Sequence, residues 1–328
     1  MGRQAQLTWK QMPSSSSQKT RVAVAFALVY LLWGSTYLAI HVAGLYIAPP
    51  LVGALRTMVS TAILAAFCLA RGISLRMPRR TAWQLSLVGI LFMSANNVLL
   101  VWGETKVPSG YASLVIAMIP ILVALIETSL PGGETLNLRG WFGTFLGAIG
   151  MLALLWPAMH RTAATPDSRS LAGFFILALA AISFAVGSVL SRRFHFKVNT
   201  FAATTWQLGS ASLVNFAIAI PAGNFHTAQW TAAGILSVLY LAIFGSVVGL
   251  TAYVYLLKHV PVTKVSTYAF VNPVIAVLIG VVTLHERLAP PEIVGMMIIL
   301  VAVATVILSR TKATPVPSDP LLEVPIEE

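Results

Sequence analysis

Charge is what this chain has least of: Asp, Glu, Lys and Arg together make up 9 % of its 328 residues, against roughly a quarter in soluble proteins. A soluble protein of this length needs far more polar surface, which disfavours a cytosolic enzyme, a disordered protein or a nucleic-acid binder from the outset. Cysteine is nearly missing. Cys68 stands alone inside an apolar run, so no intrachain disulfide staples the fold and the redox compartment is left open. Acid is scarcer than base, with 10 Asp and Glu against 21 Lys and Arg and a net charge of +11. Motifs of enzymes are absent too: there is no GxxxxGK[ST] loop, no His or Cys cluster at metal-ligand spacing and no acidic pair at hydrolytic spacing. The expectation is therefore a non-enzyme with no cofactor and no metal.

What the chain does have is apolar length. Hydrophobic residues reach 57 % and mean hydropathy is +0.84. A helix crosses about 30 Å of hydrocarbon with about 20 apolar residues, and ten runs fit: 22–42, 50–70, 83–102, 108–128, 140–157, 171–190, 200–220, 231–256, 264–284 and 291–309. Long unbroken runs favour helices over the short alternating strands of a barrel. The sequence thus predicts an all-α integral membrane protein with ten transmembrane helices. If the N-terminus is cytoplasmic, 16 of the 21 Lys and Arg fall in inner segments. Outer loops keep Lys106, Arg161, Arg169 and Arg287, while Arg56 sits within a span. That bias obeys the positive-inside rule and predicts both termini in the cytoplasm, so the excess of base reports orientation in a cell membrane and not affinity for nucleic acid. Residues 1–21 read as a polar cytoplasmic tail without signal-peptide features, and residues 310–328, rich in Pro and Glu, as a disordered one.

The chain also repeats. VPSGYASLVIAMIPILVALI, Val107–Ile126, precedes VPVTKVSTYAFVNPVIAVLI, Val260–Ile279, and at the same offset Gly34-Ser35 falls on Gly187-Ser188. The boundaries expected are a first five-helix unit at 22–157, an outer linker at 158–170 and a second unit at 171–309. Because five is odd, the second unit must enter the membrane in the opposite sense. An inverted five-plus-five repeat is a transporter architecture, in which two opposed halves expose a midplane site alternately.

These segments make the chain recognisable. YLLWGSTYLAI, VPSGYASLV, YLAIFGSVVGLTAYVYLL and STYAFVNPVIAVLIG followed by HER resemble the drug/metabolite transporter superfamily, specifically ten-helix EamA-type exporters. The resemblance implies an exporter of amino acids, drugs or other metabolites, and a central cavity lined by spans one, three, four, six, eight and nine. Uptake or exchange is the alternative within transport; a membrane-embedded lipid-modifying enzyme is the alternative outside it.

Candidate residues follow from depth. Trp33 shares one face of span one with Tyr30, Tyr37 and His41, and at mid-membrane it is either bundle packing or a cavity wall. Asn97 in span three needs amide partners at depth, either another helix or a wet cavity. Tyr268 and Asn272 stand at i, i+4 in span nine, and Tyr253 shares a face with Ser246 and Gly249 in span eight. Trp33, Asn97, Tyr253, Tyr268 and Asn272 are the expected substrate-binding set. Pro120 and its repeat mate Pro273 are expected hinges, each removing a backbone hydrogen bond. With no nucleotide site, transport would draw on a gradient, and Glu104, His41 and Arg56 are the coupling candidates. Arg56 is expected to snorkel to the outer headgroups or else to turn inward toward Glu104 or a substrate carboxylate. A stripe of Gly140, Gly143, Gly147 and Gly150 permits close helix contact, either within the chain or across a homodimer. The expected partners are a small-molecule substrate and the lipid bilayer.

Overall fold

The computed structural model describes residues 16–104, 106, 115–161, 168–284, 289–309 and 311–313. Helices α1 (Ser16–Tyr46) and α2 (Pro49–Ala70) meet at a tight corner. Pro49 and Pro50 start α2, where a missing N–H leaves no bond unmade. α3 (Arg79–Ile90) continues through a π-helical turn at Leu91–Ala95 into α4 (Asn96–Glu104). Next come α5 (Ile119–Ser129), a short strand β1 (Glu134–Leu136) and α6 (Leu138–Arg161). The second half holds α7 (Ser168–Arg193), α8 (Thr200–Ala219), a single turn α9 (Asn224–Thr227) and α10 (Ala232–Tyr240). α10 runs through a longer π-helical segment, Leu241–Leu250, into α11 (Thr251–His259). The turn α12 (Val262–Val265), α13 (Tyr268–Leu284), α14 (Pro290–Leu308) and β2 (Thr311–Ala313) close the described chain.

Among the described residues, eight helices are long and apolar enough to cross a membrane. The other two expected spans are helical where described, and each falls short for a visible reason. α8 has 20 residues but spends them on buried Thr204, Gln207, Ser212 and Asn215. The fourth expected span is described from Val115 onward, and its helix α5 has 11 residues. The all-α expectation also needs amending. β1 pairs antiparallel with β2, Glu134 opposite Ala313 and Leu136 opposite Thr311, so the segment just after residue 310, expected to be disordered, is strand.

Two of the basic residues cap helix ends. Lys264 Nζ donates to Ile307 O at 2.7 Å, and Arg192 Nη1 donates to Leu257 O and Lys258 O at 3.0 and 3.1 Å. Those carbonyls belong to the last turns of α14 and α11, where backbone acceptors lack helical partners and the dipole favours positive charge.

The glycine stripe packs within the chain. A Cβ on Gly143 would touch Val306 and the Ala302 carbonyl, one on Gly150 would meet Ile298 and Ile299, and one on Gly147 would strike Phe270. From the other side, Gly295 lies so close that a Cβ there would run into the backbone of Leu154. The stripe is therefore filled by α14 and α13, and small residues allow α6 and α14 to approach backbone to backbone.

Gly295→Ala should lower the thermal midpoint of purified protein, because an overpacked contact typically costs ~1–3 kcal/mol. Gly44→Ala, where a Cβ meets nothing within 4 Å, should leave the midpoint unchanged or raise it. Equal midpoints in a differential scanning measurement of both variants would refute the close α6–α14 contact.

Candidate substrate-binding cavity

A cavity of about 90 Å³ opens where the helices of both halves meet. α1 contributes Trp33, Thr36 and Ile40, at helical spacing along one face; α2 contributes Arg56. The π-turn between α3 and α4 adds Phe92 and Met93, and α4 adds Asn96, Asn97 and Leu100. Ile116, Ile119, Phe184, Tyr268 and Asn272 complete the wall. A second, narrower pocket of about 40 Å³ shares Ile40, Arg56, Asn97 and Leu100 and continues to Gly44, Pro49 and Val101.

Four of the five residues expected to bind substrate, Trp33, Asn97, Tyr268 and Asn272, line this one cavity. Tyr253 does not reach it. It is fully buried behind the wall, its hydroxyl bonded to Ser188 Oγ at 2.8 Å, and its ring lies 4.9 Å from the Trp33 ring. Trp33 is further enclosed by Tyr268 at 4.8 Å and Phe184 at 6.0 Å, both edge-on. Edge-to-face packing of this kind fixes ring positions, so Tyr253 holds the aromatic floor in place. Phe92 and Phe184 belong to that floor and went unnoticed in the sequence, since a lone Phe in an apolar span gives no signal.

Hydrogen bonds set the polar groups. Trp33 Nε1 donates to Gly245 O at 2.9 Å, a carbonyl of the Leu241–Leu250 π-helical segment. Asn97 Nδ2 donates to Phe92 O at 3.1 Å, back into its own π-turn. Neighbouring Asn96 instead spans to α7, its Nδ2 donating to Ala180 O at 3.0 Å. Asn272 is 3 % exposed and its Oδ1 has no partner. A buried acceptor left without a donor costs ~1–3 kcal/mol, so this atom is a strained feature of the cavity wall.

Arg56 corrects an expectation. It does not snorkel: it is 8 % exposed, and its Nε donates to Ser246 Oγ at 2.8 Å. The signal was present in the helix face, since Gly53, Arg56, Thr57, Ser60 and Thr61 recur at three- and four-residue spacing, and a polar face of a span turns toward protein and not lipid. Ser60 confirms the facing, donating to Ala242 O at 3.0 Å.

The paired prolines are not alike. Pro120 sits at the start of α5, where it breaks nothing, whereas Pro273 lies inside α13. The side chains of Tyr37, His41 and Glu104 lie outside the described residues, as does the VPSGYAS segment at 107–113. No group of His, Cys, Asp and Glu able to hold a metal occurs among the described residues.

Comparison with known proteins agrees on one family. The EamA-like transporter family matches the chain twice, over residues 20–156 and 171–308. The uncharacterised inner membrane transporter YedA of Escherichia coli K12 is 34 % identical over 287 residues, covering 87 % of this chain and 90 % of that protein. The uncharacterised transporter YvbV of Bacillus subtilis is 26 % identical, covering 90 % and 93 %. A solved crystal structure at 23 % identity superposes with a TM-score of 0.75 over 87 % of this chain and 96 % of that one, which speaks to the fold alone.

Asn272→Leu should raise the thermal midpoint, because it replaces an unpaired buried acceptor by an apolar group of similar volume. A fall of the midpoint in the same melt would mean that Oδ1 is already satisfied by ordered water.

Proposed function

The chain belongs to the EamA-like transporter family, and from that membership we propose that it is a secondary exporter of small metabolites, amino acids or drugs, working by alternating access. In this reading the two matched units are an inverted five-plus-five repeat of ten spans with both termini in the cytoplasm. The observation that carries the proposal is the convergence of Trp33, Asn97, Tyr268 and Asn272 on a single cavity. These residues come from three helices of two different repeats, and each is a group that lipid would not tolerate at that depth.

The cavity suits a small amphipathic solute. Its aromatic floor offers an apolar face, while Arg56, Asn97 and Asn272 supply hydrogen-bonding groups. In the proposed orientation the narrower pocket leads through Gly44, Pro49 and Val101 toward the outer surface. The inner side is sealed by the Tyr30 hydroxyl bonded to Thr267 Oγ1 at 2.9 Å and by the Arg193–Glu127 pair at 3.7 Å. The described conformation then corresponds to the outward-facing half of the cycle, with Pro273 as the hinge that opens the inner side. Coupling falls to a group that titrates, Glu104 or His41.

Cells expressing the chain should tolerate at least one member of a panel of toxic amino-acid analogues, bases and drugs better than cells without it, and a protonophore should abolish the gain. No gain across the panel would count against export. In a Cys68→Ala background, a cysteine at Ser168 should react with an impermeant maleimide added outside and one at Ser318 should not; the opposite pattern overturns the topology. In proteoliposomes, Glu104→Gln should lose accumulation driven by a pH gradient while retaining substrate exchange, since an amide mimics a protonated carboxyl but releases no proton. Full accumulation by that variant removes Glu104 from the mechanism and leaves His41, or no proton at all.

A further inference from the structure

We infer that Arg56 forms an anion subsite in the cavity and that the substrate carries a carboxylate. The inference rests on the transport reading above and names the chemistry that reading leaves open. A guanidinium has five N–H donors, and the structure commits one of them: Nε donates to Ser246 Oγ. This single bond anchors the group from the side of its stem. It leaves the two terminal nitrogens, the pair that meets a carboxylate in fork geometry, on a residue that lines both the main and the adjoining pocket.

Among the described residues no carboxylate pairs with Arg56; the Arg193–Glu127 contact joins residues remote from it in the chain. A buried cation in a membrane bundle is costly, and the described partner of Nε, the Ser246 hydroxyl, carries no charge. That cost is offset when an anion enters beside it. The wall facing the anion is suited to the remainder of such a molecule. Trp33, Phe184 and Tyr268 give an apolar surface, and Asn272 lines the same cavity. The size of the space, about 90 Å³, favours a carboxylate of a few carbons over a drug-sized molecule, for which pockets of roughly 300–1,000 Å³ are usual.

Ser246 is a positioning residue in this arrangement. It stands in the π-helical segment Leu241–Leu250, one residue after the carbonyl that holds Trp33, so the same segment sets the anion-binding group and the aromatic surface.

The test uses purified full-length protein in detergent at matched chloride and ionic strength, with propionate, propionamide and propylammonium as probes of similar size and different charge. Propionate should raise the thermal midpoint in a saturable way, while propionamide and propylammonium should not. Arg56→Gln should raise the half-saturating propionate concentration at least tenfold, Arg56→Lys should raise it less, and Ser246→Ala should raise it while keeping the preference for propionate. If Arg56→Gln does not yield monodisperse protein, the Lys and Ser246 variants decide the matter by the same midpoints. Protection by propionamide or propylammonium equal to that by propionate, or propionate protection unchanged in the variants, overturns the anion subsite. Protonophore-sensitive tolerance in cells is read independently of these probes, so the subsite can fail while the transport reading stands.

Discussion

Inside a bilayer every backbone carbonyl needs a donor, because no water is present to supply one. The two π-helical segments are where this constraint is felt most, since a widened turn disturbs the regular ladder of bonds. The structure answers with side chains. In the first segment, Leu91 O accepts from Ser183 Oγ at 3.0 Å, Phe92 O from Asn97 Nδ2 at 3.1 Å and Met93 O from Asn215 Nδ2 at 3.1 Å. In the second, Ala242 O accepts from Ser60 Oγ at 3.0 Å and Gly245 O from Trp33 Nε1 at 2.9 Å. Buried Ser60, Ser183 and Asn215 are therefore tied to these two irregularities. With Trp33 they bind α1, α2, α7 and α8 to the helices that carry them, and they fix the walls of the cavity in the process.

Close packing supplies the second half of the architecture. Lipid tails are as apolar as leucine, so helices in a membrane gain from tight van der Waals contact more than from burial. Glycine serves this at specific crossings. A Cβ on Gly34 would meet Ile275 at 2.5 Å and one on Gly249 would meet Trp33 Nε1 at 2.5 Å. The first seats α1 against α13 beside Asn272, and the second seats Trp33 against the Leu241–Leu250 segment. The aromatic floor is accordingly held from behind by backbone as well as by the Tyr253 ring.

Much of this was legible in the sequence. Apolar run length located the helices, since a single strong periodicity-independent signal suffices for a membrane span. Depth, helical spacing and the family resemblance together singled out Trp33, Asn97, Tyr268 and Asn272, because a polar or amphipathic group far from water must face protein or a cavity. Other features were hidden for physical reasons. π-helical turns depend on which tertiary partners rescue the freed carbonyls, and that information sits in Ser183 and Asn215, remote in sequence. The orientation of Arg56 turned on a polar helix face that competes with the length and flexibility of its own side chain. Tyr253 was placed on the correct helix face, yet whether a ring forms the wall or stands behind it depends on distances that spacing does not contain. The pairing of β1 with β2 joins segments far apart in the chain, and three-residue strands leave almost no periodicity to read.

In the proposed reading of the two matched units as an inverted repeat, the inequality of Pro120 and Pro273 is what the cycle requires. Two halves with similar sequence and opposed topology cannot adopt the same conformation at once, for a site open to both sides would be a channel. Asymmetry between matched positions is then required in any single state. Here α5 begins at its proline, whereas α13 passes through its own and starts five residues earlier, just after the turn at Ser266 and Thr267. That turn is pinned: Thr267 Oγ1 bonds the Tyr30 hydroxyl, and Lys264 just before it reaches Ile307 O. In the proposed cycle these bonds must break when the inner side opens. Each is a single contact between one side chain and a backbone or hydroxyl group, worth ~1–3 kcal/mol net. A closure made of a few such bonds can be reversed by differential substrate affinity of a few kcal/mol, while the glycine-packed α6–α14 pair, with backbone against backbone, is the part of the bundle that the proposed cycle would carry as a rigid unit.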